Sequence, residues 1–182
     1  MLVPILFQIL LILLNAVFAC AEIAVLSLSS TRLDKLVDEG NKNAKKLQKL
    51  TKVPAKFLST IQVAITLAGF LGSAFAADNF AVLIVDAFRG TAFFDAVGEN
   101  VIRTVSVVLI TLLLSFVTLV FGELVPKRVA MRKSEKVALG MAGFLTGVSV
   151  IFAPIVWLLT KTTNGVLRLL RIDPDESDEE VT

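Results

Sequence analysis

Phe121-Gly122-Glu123-Leu124-Val125-Pro126-Lys127 closes a long apolar segment with one glycine, one carboxylate and one proline. In an α-helix the N–H of residue 126 would bond to the carbonyl of Gly122, but proline has no N–H. The Gly122 carbonyl is then left free beside the Glu123 carboxylate, near membrane depth. Unpaired backbone and charge are tolerated there only when buried in protein or lining a wet cavity. A free carbonyl next to a carboxylate suits a hard, oxygen-seeking cation. The competing reading is a helix ended by proline, with Glu123 reaching the cytosolic interface.

Composition supports a membrane setting. The chain has 182 residues, is 55% hydrophobic and only 19% charged, and has a mean hydropathy of +0.81. Its charges are segregated, leaving apolar runs that fit a polytopic membrane domain. There is no His, which excludes imidazole catalysis, His-ligated metal and a His pH switch. The single cysteine, Cys20, lies within the first apolar run, so neither a disulfide framework nor a thiolate cluster is available. No Gly-x-Ser-x-Gly or paired-aspartate motif is present, and the chain does not read as an enzyme. The N-terminus lacks a basic region and cleavage site and reads as a retained span.

Working outward, residues 2–30 are apolar and more than long enough to cross a core of about 30 Å. Asn15, Glu22 and Ser29 recur every seven residues, on roughly one helical face. They read equally as interhelical glue and as an ion pathway. Residues 31–56 hold eight of the 18 basic residues, among amphipathic leucines. The positive-inside rule puts this loop in the cytoplasm and the N-terminus outside. Its basic face is a topology and lipid-headgroup feature rather than a nucleic-acid patch.

A second run, about 57–77, carries Ser59, Gln62, Thr66, Gly69 and Ser73 at steps of three and four, one stripe along a helix. A third, about 101–125, carries Thr104, Thr111, Ser115, Thr118 and Gly122 at the same kind of spacing. Alone, each stripe is explained by helix packing. Three striped spans, two with a carboxylate, read together as a pathway lined by oxygen ligands. A fourth run, about 137–160, contains Gly140, Gly143, Gly147 and Pro154. Hydropathy alone makes it a span; its glycines and proline favour a broken or re-entrant element. Residues 173–182 have six acidic residues in ten and read as a solvated linker.

These residues carry a resemblance. Asn15-Ala-Val-Phe-Ala-Cys-Ala-Glu22-Ile-Ala-Val-Leu-Ser27 resembles the first-helix signature of the CNNM/CorC family of magnesium and cobalt efflux transporters. Glu39-Gly-Asn-Lys-Asn-Ala44, Leu58-Ser-Thr-Ile-Gln62 and Gly122-Glu-Leu-Val-Pro-Lys127 match later motifs in order, over about residues 5–172. The resemblance implies an all-α membrane protein of three transmembrane helices plus a cytosol-side amphipathic or re-entrant juxtamembrane belt helix. It also implies a homodimer in the plasma (inner) membrane, a cytoplasmic C-terminus, and nucleotide-binding CBS domains beyond the acidic linker.

By the same resemblance the cargo is a dehydrated Mg²⁺ held between the three spans, with Na⁺ as counter-ion. Glu123 and the Gly122 carbonyl are implied ligands, completed by Thr66 and by the turn from Ala19 to Glu22. Some members of that family carry serine where this chain has Ala19, and asparagine on the second span where it has Ile65 or Gly69. Asn15, Ser27, Ser59, Gln62, Ser115 and Thr118 are expected along the ion path, with Glu22 as the coupling charge and Pro126 as hinge. The alternative is a membrane-embedded sensor or scaffold that binds the ion without carrying it.

Overall fold

The computed structural model describes residues 2–172, with the side chains of Ala77 and Asp78 left aside; the expected acidic linker lies outside these residues. Every regular element among them is helical. The chain runs through α1 (Leu2–Leu26), α2 (Ser30–Asp38), α3 (Lys42–Thr51), α4 (Pro54–Phe88), α5 (Ala92–Val97) and α6 (Glu99–Leu119). A π-helical turn (Val120–Leu124) then leads into α7 (Val125–Arg132), and α8 (Ser134–Leu169) follows.

Four stretches among the described residues are long and apolar enough to cross a membrane: Leu2–Leu26, Pro54–Phe88, Glu99–Arg132 and Ser134–Leu169. This corrects the expectation of three spans plus a broken belt. The segment 137–160 is neither broken nor re-entrant, because α8 passes through Pro154 as one helix of 36 residues. A single missing N–H removes one bond from a ladder that is intact on both sides, and membrane helices accommodate it. Gly140 and Gly147 have open space where a side chain would lie, so they end nothing and pack against nothing within the chain. Four crossings would return the chain to its starting side, whereas three would not.

Helix boundaries follow local chemistry. Asn41 caps α3, its Oδ1 accepting from the N–H groups of Asn43 and Ala44 at 2.9 and 3.1 Å. The preceding Gly40 has φ +83, a left-handed turn that separates the two basic helices. Pro54 opens α4 at a position where no N–H is needed. That helix runs past its apolar stretch to Phe88, because the Asn79 amide bonds the Phe75 carbonyl at 2.8 Å rather than competing with the ladder.

Outer surfaces are apolar: Leu112, Leu113 and Phe116 of α6 are all more than 60% exposed, as suits lipid. Small residues set the close approach of α1, whose Ala19, Ala21 and Ala24 are fully enclosed. Leu33, Leu36 and Leu47 dock the basic helices α2 and α3 onto the bundle. In water each such burial stabilises by about 1.5–3 kcal/mol. The Arg32 guanidinium grips Glu135 of α8 with two hydrogen bonds of 2.8 and 3.0 Å, and Phe18 stacks on Phe144 at 5.6 Å.

Candidate functional site

Three rods meet around a cavity of about 370 Å³: α1, α4 and the α6–π–α7 rod. From α1 come Gln8 and Asn15, from α4 Thr66, Gly69 and Ser73, and from the third rod Thr111, Ser115, Thr118 and Glu123. Leucine, isoleucine and phenylalanine fill the walls between them. Ile65 also faces this space.

The π turn sets how Glu123 is presented. Val125 donates to the Val120 carbonyl, five residues back instead of four. In this spacing the N–H that Pro126 lacks would have served Phe121, whereas only α spacing would free the Gly122 carbonyl. Gly122 itself is buried against α1, where an added Cβ would lie 3.3 Å from the Ile12 carbonyl oxygen and 3.4 Å from Asn15 Cβ. A side chain here would push the two backbones apart by a few tenths of an ångström. Pro126 is buried, and its carbonyl accepts the Cys20 thiol at 3.4 Å.

A second cavity, of about 720 Å³, lies between α1, α4 and α8. Glu22, Ser59, Gln62 and Thr66 line it, together with Thr163 of α8. Thr66 therefore borders both spaces, and the α4 stripe divides at it. The Gln62 amide reaches the Thr66 hydroxyl at 3.5 Å.

Between the two cavities stands Lys127. Its ammonium donates to Glu123 Oε1 at 3.0 Å and lies 2.9 Å from Glu22 Oε2, the latter an ion pair outside good donor alignment. The two intramembrane carboxylates thus share one cation. Glu22 is the more enclosed, its side chain 19% exposed against 37% for Glu123, so Glu123 is the one open to an incoming ion.

Two acceptors in the first cavity have no partner among the described residues: Gln8 Oε1 and Asn15 Oδ1, each on a side chain more than nine-tenths buried. Buried acceptors are ordinarily bonded, and leaving one unmet costs about 1–3 kcal/mol. Among the described residues no three His, Cys, Asp or Glu side chains converge on a metal position. Any cation here is met by one carboxylate and by neutral amide and hydroxyl oxygens. Such an all-oxygen set fits a hard cation or an ammonium, not a thiophilic metal.

The expected site residues divide accordingly. Asn15, Thr66, Ser115, Thr118 and Glu123 share the first cavity, and Glu22, Ser59 and Gln62 reach the second. Ala19 is fully buried and lines neither, and Ser27 lies exposed beyond the end of α1. Sequence reasoning missed Gln8 and Lys127. Gln8 extends the seven-residue series of Asn15, Glu22 and Ser29 backwards by one step. Lys127 follows Glu123 by four residues, the spacing at which helical side chains pair.

Comparison with known proteins decides the kinship. Residues 6–182 match the cyclin M transmembrane N-terminal domain, CNNM. The chain belongs to the CNNM family. This CNNM domain is 36% identical over 169 residues to a UPF0053 protein of Synechocystis, covering 92% of this chain and 36% of that protein. It is 33% identical to a UPF0053 protein of Haemophilus influenzae, covering 89% of this chain and 34% of that one. A protein of H. influenzae named polyamine export protein is 28% identical over 168 residues, covering 92% of this chain and 38% of its own length. The domain spans little more than a third of these relatives, which carry additional sequence outside the match.

Proposed function

We propose that this chain is the membrane domain of a Mg²⁺ exporter, working by alternating access with Na⁺ as the coupling ion. One observation carries the reading: Glu123 is the carboxylate on a largely apolar cavity that three rods supply with amide and hydroxyl oxygens, and whose α1 amide acceptors have no partner among the described residues. Mg²⁺ gives up water reluctantly and needs near-octahedral oxygen geometry at about 2.0–2.1 Å. Glu123, Asn15, Thr66 and the hydroxyls of Ser115 and Thr118 supply oxygens from three separate rods. A small relative movement of the rods would then dismantle the geometry and release the ion. The π turn ahead of Pro126 is the hinge, since such turns re-pair with little cost. Glu22, on the second cavity, is the coupling position for Na⁺.

The same reading places the domain in the plasma membrane with the N-terminus outside, on the strength of the basic α2–α3 loop. It takes the working unit as a homodimer, with CBS domains in the longer protein.

A second reading is an organic amine as cargo. Lys127 already sets an ammonium against both carboxylates, Gln8 and Asn15 lie about 10 Å apart along α1, and two relatives are named polyamine export proteins.

The test is flux in proteoliposomes, wild type beside Glu123→Ala, with and without a Na⁺ gradient. The proposal expects Mg²⁺ flux that depends on the gradient and is abolished in a folded Glu123→Ala protein. Glu123-dependent spermidine flux without Mg²⁺ flux would establish the amine reading. Mg²⁺ binding with no flux under either gradient would make the domain a sensor or scaffold.

A further inference from the structure

Among the described residues Lys127 is the one cation that touches both intramembrane carboxylates, and its placement is hard to reconcile with a second cation beside it. The ammonium lies 3.0 Å from Glu123 Oε1, on the only carboxylate that the described residues bring to the three-rod cavity. A divalent ion bound to that carboxylate would face a positive charge a few ångströms away, in surroundings where charges are weakly screened. One of the two must leave. The structure also provides the place to go, because Glu22 Oε2 is 2.9 Å from the same ammonium on a different helix. A flexible four-carbon stem covers that small shift, which an arginine fork would not.

We infer that Lys127 is a tethered counter-cation: it is shared between Glu123 and Glu22 when the cavity is empty and is left to Glu22 alone when cargo arrives. The inference rests on the cation-carrier reading above and adds a specificity-determining residue to it. Three consequences follow from the geometry. The empty site keeps one uncompensated negative charge instead of two, which lowers the cost of rearranging an empty carrier in the membrane. Affinity is set by exchange, since each incoming ion displaces an ammonium. The pairing within the third rod changes with occupancy, because Lys127–Glu123 is given up while Lys127–Glu22 goes on joining that rod to α1.

A purely structural ion bridge predicts the opposite sign. Removing one member of a bridge that only holds helices together loosens the site and weakens cargo binding. Removing a competitor strengthens it.

The experiment is calorimetric Mg²⁺ binding to the chain in lipid nanodiscs, with melting curves, for wild type, Lys127→Met, Glu22→Gln and Glu123→Gln. Lys127→Met is expected to bind Mg²⁺ at least tenfold more tightly than wild type and to melt lower without Mg²⁺, with added Mg²⁺ restoring it. Glu22→Gln is expected to bind several-fold more weakly, because the ammonium is left to Glu123 alone. Unchanged or weaker binding in Lys127→Met overturns the inference. Should that variant not fold, Lys127→Gln, which removes the charge but keeps a polar end, takes its place, and unchanged or weaker binding there overturns the inference. Glu123-dependent binding in wild type alongside those negative results would leave the carrier reading standing. Absence of Mg²⁺ binding in every variant would remove both.

Discussion

Gly122 lies directly on the backbone of α1, where an added Cβ would come within 3.3 Å of the Ile12 carbonyl oxygen. That contact is to backbone, so it cannot be relieved by a rotamer change. Alanine gains about 1 kcal/mol of helix propensity over glycine, while overpacking costs about 1–3 kcal/mol. Gly122→Ala should therefore be destabilising by about 1 kcal/mol net, and should weaken cation binding several-fold by pushing the third rod off α1. Melting curves and Mg²⁺ titration of the same sample check both. Unaltered binding in the alanine variant would mean the close approach has no part in the site.

Asn15 offers the reverse trade. Its Oδ1 is buried without a partner among the described residues, so Asn15→Leu removes an unmet acceptor and adds apolar volume beside a cavity with room for it. The variant should melt at or above the wild-type temperature while losing at least tenfold in flux. Gln8→Leu should stabilise similarly with a smaller loss, since it lies two helical turns along α1 from Asn15. Parallel loss of stability and flux would show that these amides serve packing.

Thr66 and Gly69 test where the path runs. Thr66→Val keeps shape but deletes the hydroxyl that borders both cavities, and should cut Mg²⁺ flux about tenfold while Thr66→Ser retains it. Gly69 faces the cavity and has nothing within 4 Å of an added Cβ. Gly69→Asn should introduce another oxygen ligand and tighten Mg²⁺ binding several-fold. The comparison is a set of binding isotherms, and weaker binding in Gly69→Asn would place the ion elsewhere.

Asn41 provides a control remote from both cavities. It caps α3 through two hydrogen bonds, so Asn41→Ala should lose about 1 kcal/mol of stability. Mg²⁺ affinity should stay within twofold of wild type. A large change in affinity would couple the basic helices to the site.

Much of the site is legible in the amino-acid sequence. The stripe of α4 and the Thr111, Ser115 and Thr118 part of the third rod's do face cavities, because a period of three and four holds its members on one side of a helix wherever that side turns. Glu123, Asn15 and Thr66 are visible this way. Lys127 is missed, because its i, i+4 spacing from Glu123 shows the pair within one helix and not the Glu22 that completes it. Ala19 lines neither cavity for the complementary reason: Asn15 and Glu22 stand four residues before and three after it, but its own face turns into packing.

What the sequence by itself determined is everything that depends on local pattern: an all-α membrane class, the places where helices begin, and which faces carry oxygen. These follow from hydropathy, period and capping within a few turns of chain. The tertiary structure alone decided that α8 runs unbroken through Pro154 and that the third rod widens into a π turn. It alone brought Glu22 and Glu123 to one ammonium and left the Gln8 and Asn15 acceptors unmet. Each of these is set by the register between helices distant in sequence, and that register is fixed by packing rather than by any local signal.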